Sequence, residues 1–126
     1  MDGRPLIYLV EDDADVRMSL MALFTTVGFA TESFESAEEF LAAFSKSDGA
    51  CLVSDIRLGG LSGIELLELL RMQQISLPVI LISAHLDAKT ISRAVEAGAA
   101  AVIDKPCQAN ALIRAIRREL PVASSQ

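Results

Sequence analysis

The sequence has no tryptophan, one tyrosine and five phenylalanines, so aromatic residues fill only 5% of its 126 positions. A core must therefore come from Leu, Ile, Val and Ala, and 52% apolar content is enough to build one and to exclude intrinsic disorder. The single histidine, His85, excludes a two-histidine zinc motif. Two cysteines, Cys51 and Cys107, lack metal-ligand spacing and are expected to be reduced thiols of a cytoplasmic protein. Positive charge is scarce: 11 Lys and Arg face 17 Asp and Glu, and the net charge of −6 argues against direct nucleic-acid binding. No apolar run approaches the ~20 residues of a membrane span. The opening Met1-Asp2-Gly3-Arg4-Pro5 lacks the apolar segment of a signal peptide. Internal repeats and interior linkers are missing too. The length suits one domain over residues 1–120, with 121–126 a flexible tail or the start of a linker.

What is present is an alternation. Short apolar runs at 6–10, more weakly at 30–34, then at 51–54, 79–82 and 100–103, are separated by helical patterns. Three of the runs are nearly continuous Ile, Leu and Val, as parallel strands covered on both faces require. Val16, Leu20, Leu23, Phe24 and Val27 recur at helical spacing, and Gly28 suits a left-handed stop. Ala37, Phe40, Leu41 and Phe44 mark a second helix; Ile64, Leu67 and Leu70 a third; Ile91 and Val95 a fourth; Leu112, Ile113, Ile116 and Leu120 a fifth. Capping boxes are expected at Ser36 with Glu39 and Ser62 with Glu65, and Gly98 is expected to end the fourth helix. Five strands alternating with five helices predict an α/β fold, a doubly wound parallel sheet of order 2-1-3-4-5. In that order ligands bind outside the C-terminal ends of the first and third strands.

Those ends carry acid. Glu11, Asp12 and Asp13 follow the first run, and Asp55 follows the third. Carboxylates sharing one crevice need a cation, and Mg²⁺ suits oxygen ligands. Taken singly, acids after a strand are often the solvated start of the next helix. The other strand ends add Ser83, Asp104 and Lys105. A carboxylate can attack phosphorus to form an acyl phosphate, with a hydroxyl and an amine holding the phosphoryl oxygens. Ser83 is a capping residue by type, but Asp87 is the better-placed cap of the fourth helix.

Val10-Glu11-Asp12-Asp13, Ser54-Asp55, Ser83-Ala84 and Lys105-Pro106 together resemble the receiver domain of two-component response regulators, over residues 5 to 120. Asp15-Val16-Arg17, Gly28-Phe29, Ser62 to Leu66 and Ala97-Gly98-Ala99 resemble its FixJ-type branch. The resemblance implies that Asp55 accepts phosphate from a histidine kinase. It implies that Glu11 and Asp12 organise Mg²⁺ with Asp55 and the Arg57 backbone carbonyl, while Ser83 and Lys105 hold the phosphoryl group. It implies a cis peptide before Pro106, and leaves Asp13 outside the metal site. It further implies a signalling domain rather than an enzyme, promoting only its own phosphorylation and dephosphorylation. The segment from Ala84 through the fourth helix to the fifth strand is expected to shift on phosphorylation. That surface is expected to form a homodimer or meet an output element regulating transcription.

Three positions depart from the family. Gly59 stands where a proline is usual, which predicts a looser loop. Val102 stands where an aromatic ring commonly reports phosphorylation to the surface, and it has no ring to swing. Cys107 replaces a usual Phe after Pro106. These departures leave room for a pseudo-receiver that signals without phosphate; the complete acid, hydroxyl and lysine set speaks against it. A flavodoxin-type domain is disfavoured by the acidic first loop, which repels a flavin phosphate. A true phosphohydrolase lacks a separate general base.

Overall fold

The computed structural model describes residues 4–45, 50–105 and 108–120. Strands and helices alternate as β1 Leu6–Val10, α1 Ala14–Thr26, β2 Ala30–Phe34, α2 Ala37–Ala43, β3 Ala50–Asp55, α3 Gly63–Met72, β4 Val79–Ser83, α4 Ala88–Ala97, β5 Ala101–Asp104 and α5 Ala109–Glu119. The strands form one sheet of order β2-β1-β3-β4-β5, and every pair is parallel. The α/β architecture is the one predicted. Pro106, Cys107 and the tail from 121 lie outside the described residues. The expectations for the cis peptide, for Cys107 and for the tail fall there.

Strand side chains alternate between faces, and both faces are apolar here. Tyr8, Val10, Leu52, Leu81 and Val79 point to one layer, against Phe40 of α2 and Leu66, Leu67 and Leu70 of α3. Ile7, Leu9, Cys51, Val53, Ile80 and Ile82 point to the other, against Phe24 of α1 and Leu112, Ile113 and Ile116 of α5. This two-sided burial is why the runs are continuous rather than alternating. Each fully buried Leu or Ile contributes about 1.5–3 kcal/mol. The few rings are concentrated: Tyr8, Phe34, Phe40 and Phe44 pack together, and Phe24 packs on Phe29. The half of the chain from β3 to α5 contributes none of these rings.

Local signals set the helix ends. Gly28 and Gly98 adopt left-handed φ of 98° and 99°, as their stop positions require. Asp87 caps α4 by accepting the Thr90 N–H at 2.8 Å, so Ser83 is free of that task. Ser62 and Glu65 complete a reciprocal capping box at α3. The second expected box is only half formed. Ser36 accepts the Glu39 N–H, but Glu39 turns back to the Glu35 N–H instead of its own cap residue.

Other expectations are corrected. Asp55 is the last residue of β3 rather than the first after it, and β5 runs one residue later than the apolar run suggested. Ile91 and Val95 mark α4 as a helix but stand 40% and 62% exposed, while the small Ala94 is the residue that helix buries. No helix among the described residues is long and apolar enough to cross a membrane.

Candidate functional site

The register Val10↔Ser54 sets the C-terminal ends of β1 and β3 side by side, so Glu11 and Asp55 emerge as neighbours. Pairing of Asp55 with Ile82 and of Ser83 with Asp104 brings the ends of β4 and β5 to the same rim. The sheet order thereby collects residues that are up to 94 positions apart in sequence.

Glu11 is fully enclosed. Its backbone N–H donates to the Phe34 carbonyl at 3.1 Å, and its backbone carbonyl accepts the Arg17 guanidinium at 2.7 Å. Its Oε2 accepts the Asp13 N–H at 3.1 Å and its Oε1 accepts the Lys105 ammonium at 2.9 Å. Burial raises the Glu11 carboxyl above its ordinary value, although the bonds from Lys105 and Asp13 pull the other way.

Asp55 is also buried, 6% exposed. Its Oδ1 accepts the Arg57 N–H at 3.1 Å, and its Oδ2 accepts the Lys105 ammonium at 2.8 Å. Behind it, Gly63 packs so tightly that a β-carbon there would overlap the Asp55 carbonyl oxygen and crowd Ile56. Lys105 is anchored by its own N–H, which donates to the Ser83 carbonyl at 2.8 Å. Burial pulls the Lys105 amine down, but its bonds to Asp55 and Glu11 outweigh this and hold it above its ordinary value.

Asp12 is exposed, and its carboxylate completes a trio with Glu11 and Asp55 whose oxygens lie within 4.8 Å of one another. Lys105 bridges two of these three carboxylates, so the trio retains more negative charge than one ammonium can balance. Hard oxygen donors around such an excess fit Mg²⁺. Ser83 is buried, with its Oγ accepting the His85 N–H at 3.2 Å. It lines a cleft of about 370 Å³ with Arg57, His85, Leu86 and Asp104. Asp13 stands apart from the trio: it caps α1, accepting the Val16 N–H at 3.0 Å.

Glu11, Asp12, Asp55 and Lys105 thus meet at one rim, with Ser83 lining the neighbouring cleft. Sequence reasoning missed the supporting parts. Arg17 holds the Glu11 backbone; the sequence marked it within Asp15-Val16-Arg17 but gave it no role there. Glu38 of α2 accepts the Leu61 N–H at 2.9 Å, which no local spacing announces.

Residues 7–117 match the family model described as the response regulator receiver domain. The chain is 36% identical over 124 residues to the transcriptional regulatory protein FixJ of Bradyrhizobium diazoefficiens, covering 95% of this chain and 60% of that protein. It is 34% identical to the response regulator protein TodT of Pseudomonas putida, covering 99% of this chain and 55% of that one. The chain therefore spans less than two thirds of the length of either relative. Among solved structures, the crystal structure of FixJ-N superimposes with a TM-score of 0.84 at 37% identity, covering 94% of both chains. The low-resolution structure of the response regulator StyR gives 0.87 at 38%, covering 94% of this chain and 60% of that one. The chain belongs to the family of response regulator receiver domains.

Proposed function

We propose that residues 1–120 form a cytoplasmic phosphoacceptor domain in which Asp55 takes a phosphoryl group from a histidine kinase. The observation that carries this reading is the Lys105 ammonium, held 2.8 Å from Asp55 and 2.9 Å from Glu11 beside a third carboxylate. A carboxylate oxygen of Asp55 attacks phosphorus, the P–N bond to the kinase imidazole breaks, and an aspartyl phosphate forms. The departing imidazole keeps the bonding pair and takes up a proton. Lys105 and the Ser83 hydroxyl then serve the phosphoryl oxygens, since positioning and charge govern this transfer. Arg57 orients the attacking carboxylate through its N–H.

Glu11, Asp12, Asp55 and the Arg57 backbone carbonyl are the groups that would hold Mg²⁺. Bound there, the ion would screen the carboxylates from the incoming phosphoryl charge. An apolar cleft of about 500 Å³ beside Lys105, lined by Val16, Leu20, Ile82 and Ala84, offers the kinase a surface next to the nucleophile.

By likeness to the transcriptional regulatory protein FixJ, the switch acts on transcription through an output domain. Exposed Ile91 and Val95 on α4 support a phosphorylation-dependent homodimer through α4 and β5. Phosphate-free signalling is not favoured, because nothing in such a module requires a buried Glu11 and Asp55 bridged by an amine. Mg²⁺ titration followed by amide shifts tests the site. Saturable shifts at Glu11, Asp12 and 55–57 are expected; a flat response across these residues contradicts the metal assignment.

A further inference from the structure

The loop between Asp55 and α3 contains Gly59 and Gly60 in succession. Two glycines in a row leave the chain more conformational freedom to lose than any other pair. Gly59 is exposed, and a β-carbon built on it would meet nothing within 4 Å. The loop is nonetheless held on both sides of the glycines. Upstream, the Arg57 N–H donates to Asp55 Oδ1. Downstream, Leu61 is partly buried against the core and its N–H donates to Glu38 Oε2 at 2.9 Å, across 23 residues of sequence.

The Glu38 carboxylate also lies over Gly60, so closely that a β-carbon at that position would overlap it. The bond from Leu61, and then the Glu38 N–H itself, hold this carboxyl below its ordinary value, which favours its charged form. A charged acceptor makes a stronger bond than a neutral one. Gly60 and Glu38 are therefore complementary: one leaves the space that the other's carboxylate fills.

We propose that Glu38 is a positioning residue for the phosphoacceptor. Its carboxylate latches the 57–61 loop onto α2 and so keeps the Arg57 amide on Asp55. The latch takes over the stiffening that Gly59 and Gly60 cannot supply. The kinetic part of this proposal rests on Asp55 being the phosphoacceptor; the loop geometry does not.

The test uses the full chain as parent and as Glu38→Ala, Glu38→Gln, Gly60→Ala, Gly59→Ala and the Glu38→Ala/Gly60→Ala pair. Two quantities are read: amide exchange at Leu61 and Arg57, and the rate of acetyl phosphate uptake by Asp55 with Mg²⁺. Glu38→Ala is expected to speed exchange at both amides by about two- to tenfold, the range set by one exposed hydrogen bond, and to slow phosphate uptake by a similar factor. Glu38→Gln keeps an acceptor oxygen and retains most of the parent behaviour. Gly60→Ala copies Glu38→Ala, and the pair is no worse than either alone, because each removes the same contact. Gly59→Ala matches the parent.

Faster exchange at Leu61 with unchanged Arg57 exchange overturns the proposal, since the latch then stops short of Asp55. Unchanged exchange at Leu61 overturns it as well. If the parent takes up no phosphate, the phosphoacceptor reading fails, and Arg57 exchange alone still decides whether Glu38 holds the loop.

Discussion

Lys105 Nζ lies 2.8 Å from Asp55 Oδ2, an ion pair that joins the ends of β3 and β5 over 50 residues of sequence. The same nitrogen reaches Glu11, so one cation serves two buried acids. Replacing Lys105 by Ala leaves both acids without their amine. The expected loss is about 1–2 kcal/mol, smaller than for a fully buried pair because Lys105 retains some contact with water. Added Mg²⁺ stabilises a protein whose folded state binds it, and its effect on the melting temperature should be larger in Lys105→Ala than in the parent. Thermal melts with and without Mg²⁺ check this. Equal Mg²⁺ effects in the two proteins contradict the idea that amine and metal compensate the same charges.

Gly63 is a second point of contact with the nucleophile. A β-carbon there meets backbone atoms of Asp55 and Ile56, which cannot move aside as a side-chain tip can. Gly63→Ala should cost about 1–3 kcal/mol, as overpacking does, and should slow phosphorylation of Asp55. Chemical denaturation and phosphorylation rates on the same variant check both. Parent-like values in each would show that the strand end yields more easily than its packing suggests.

Cys51 provides a pH signature. Burial in the layer formed with Ile7, Leu9 and Phe24, with a smaller contribution from Glu119, raises its thiol from 9.0 to about 12. The folded protein keeps the proton over a range in which the unfolded chain loses it. The stabilising contribution is therefore complete below pH 9 and is lost as pH rises toward about 12. The slope in that window is about 1.4 kcal/mol per pH unit. Denaturation at a series of alkaline pH values should show Cys51→Ala losing stability less steeply than the parent. Equal slopes would mean that the thiol ionises freely in the fold.

The dimer proposal is tested on α4. Ile91→Glu and Val95→Glu place charge on residues already 40% and 62% exposed, so the monomer fold should be unchanged. Sedimentation with beryllofluoride, a phosphoryl mimic, should show a dimer for the parent and a monomer for both variants. A parent that stays monomeric at all concentrations argues against phosphorylation-driven dimerisation.

Much of this was legible in the sequence because the sheet is buried on both faces. That burial wrote the strands as unbroken apolar runs, and the parallel order then required their acid, hydroxyl and amine ends to converge. The residues that escaped were those whose role carries no period. Ile91 and Val95 repeat at the spacing of a core face, yet the helix buries Ala94, which is too small to register in such a pattern. Glu38 and Leu61 meet only because α2 and the β3–α3 loop lie on the same side of the sheet.

The central claim is that Asp55 is the phosphoacceptor. Incubation with acetyl phosphate or phosphoramidate and Mg²⁺, read by intact mass, tests it most directly. The account predicts one added phosphoryl group on the parent chain, and none on Asp55→Ala or on the parent without Mg²⁺. A parent that gains no phosphoryl group, or an undiminished adduct on Asp55→Ala, would contradict it.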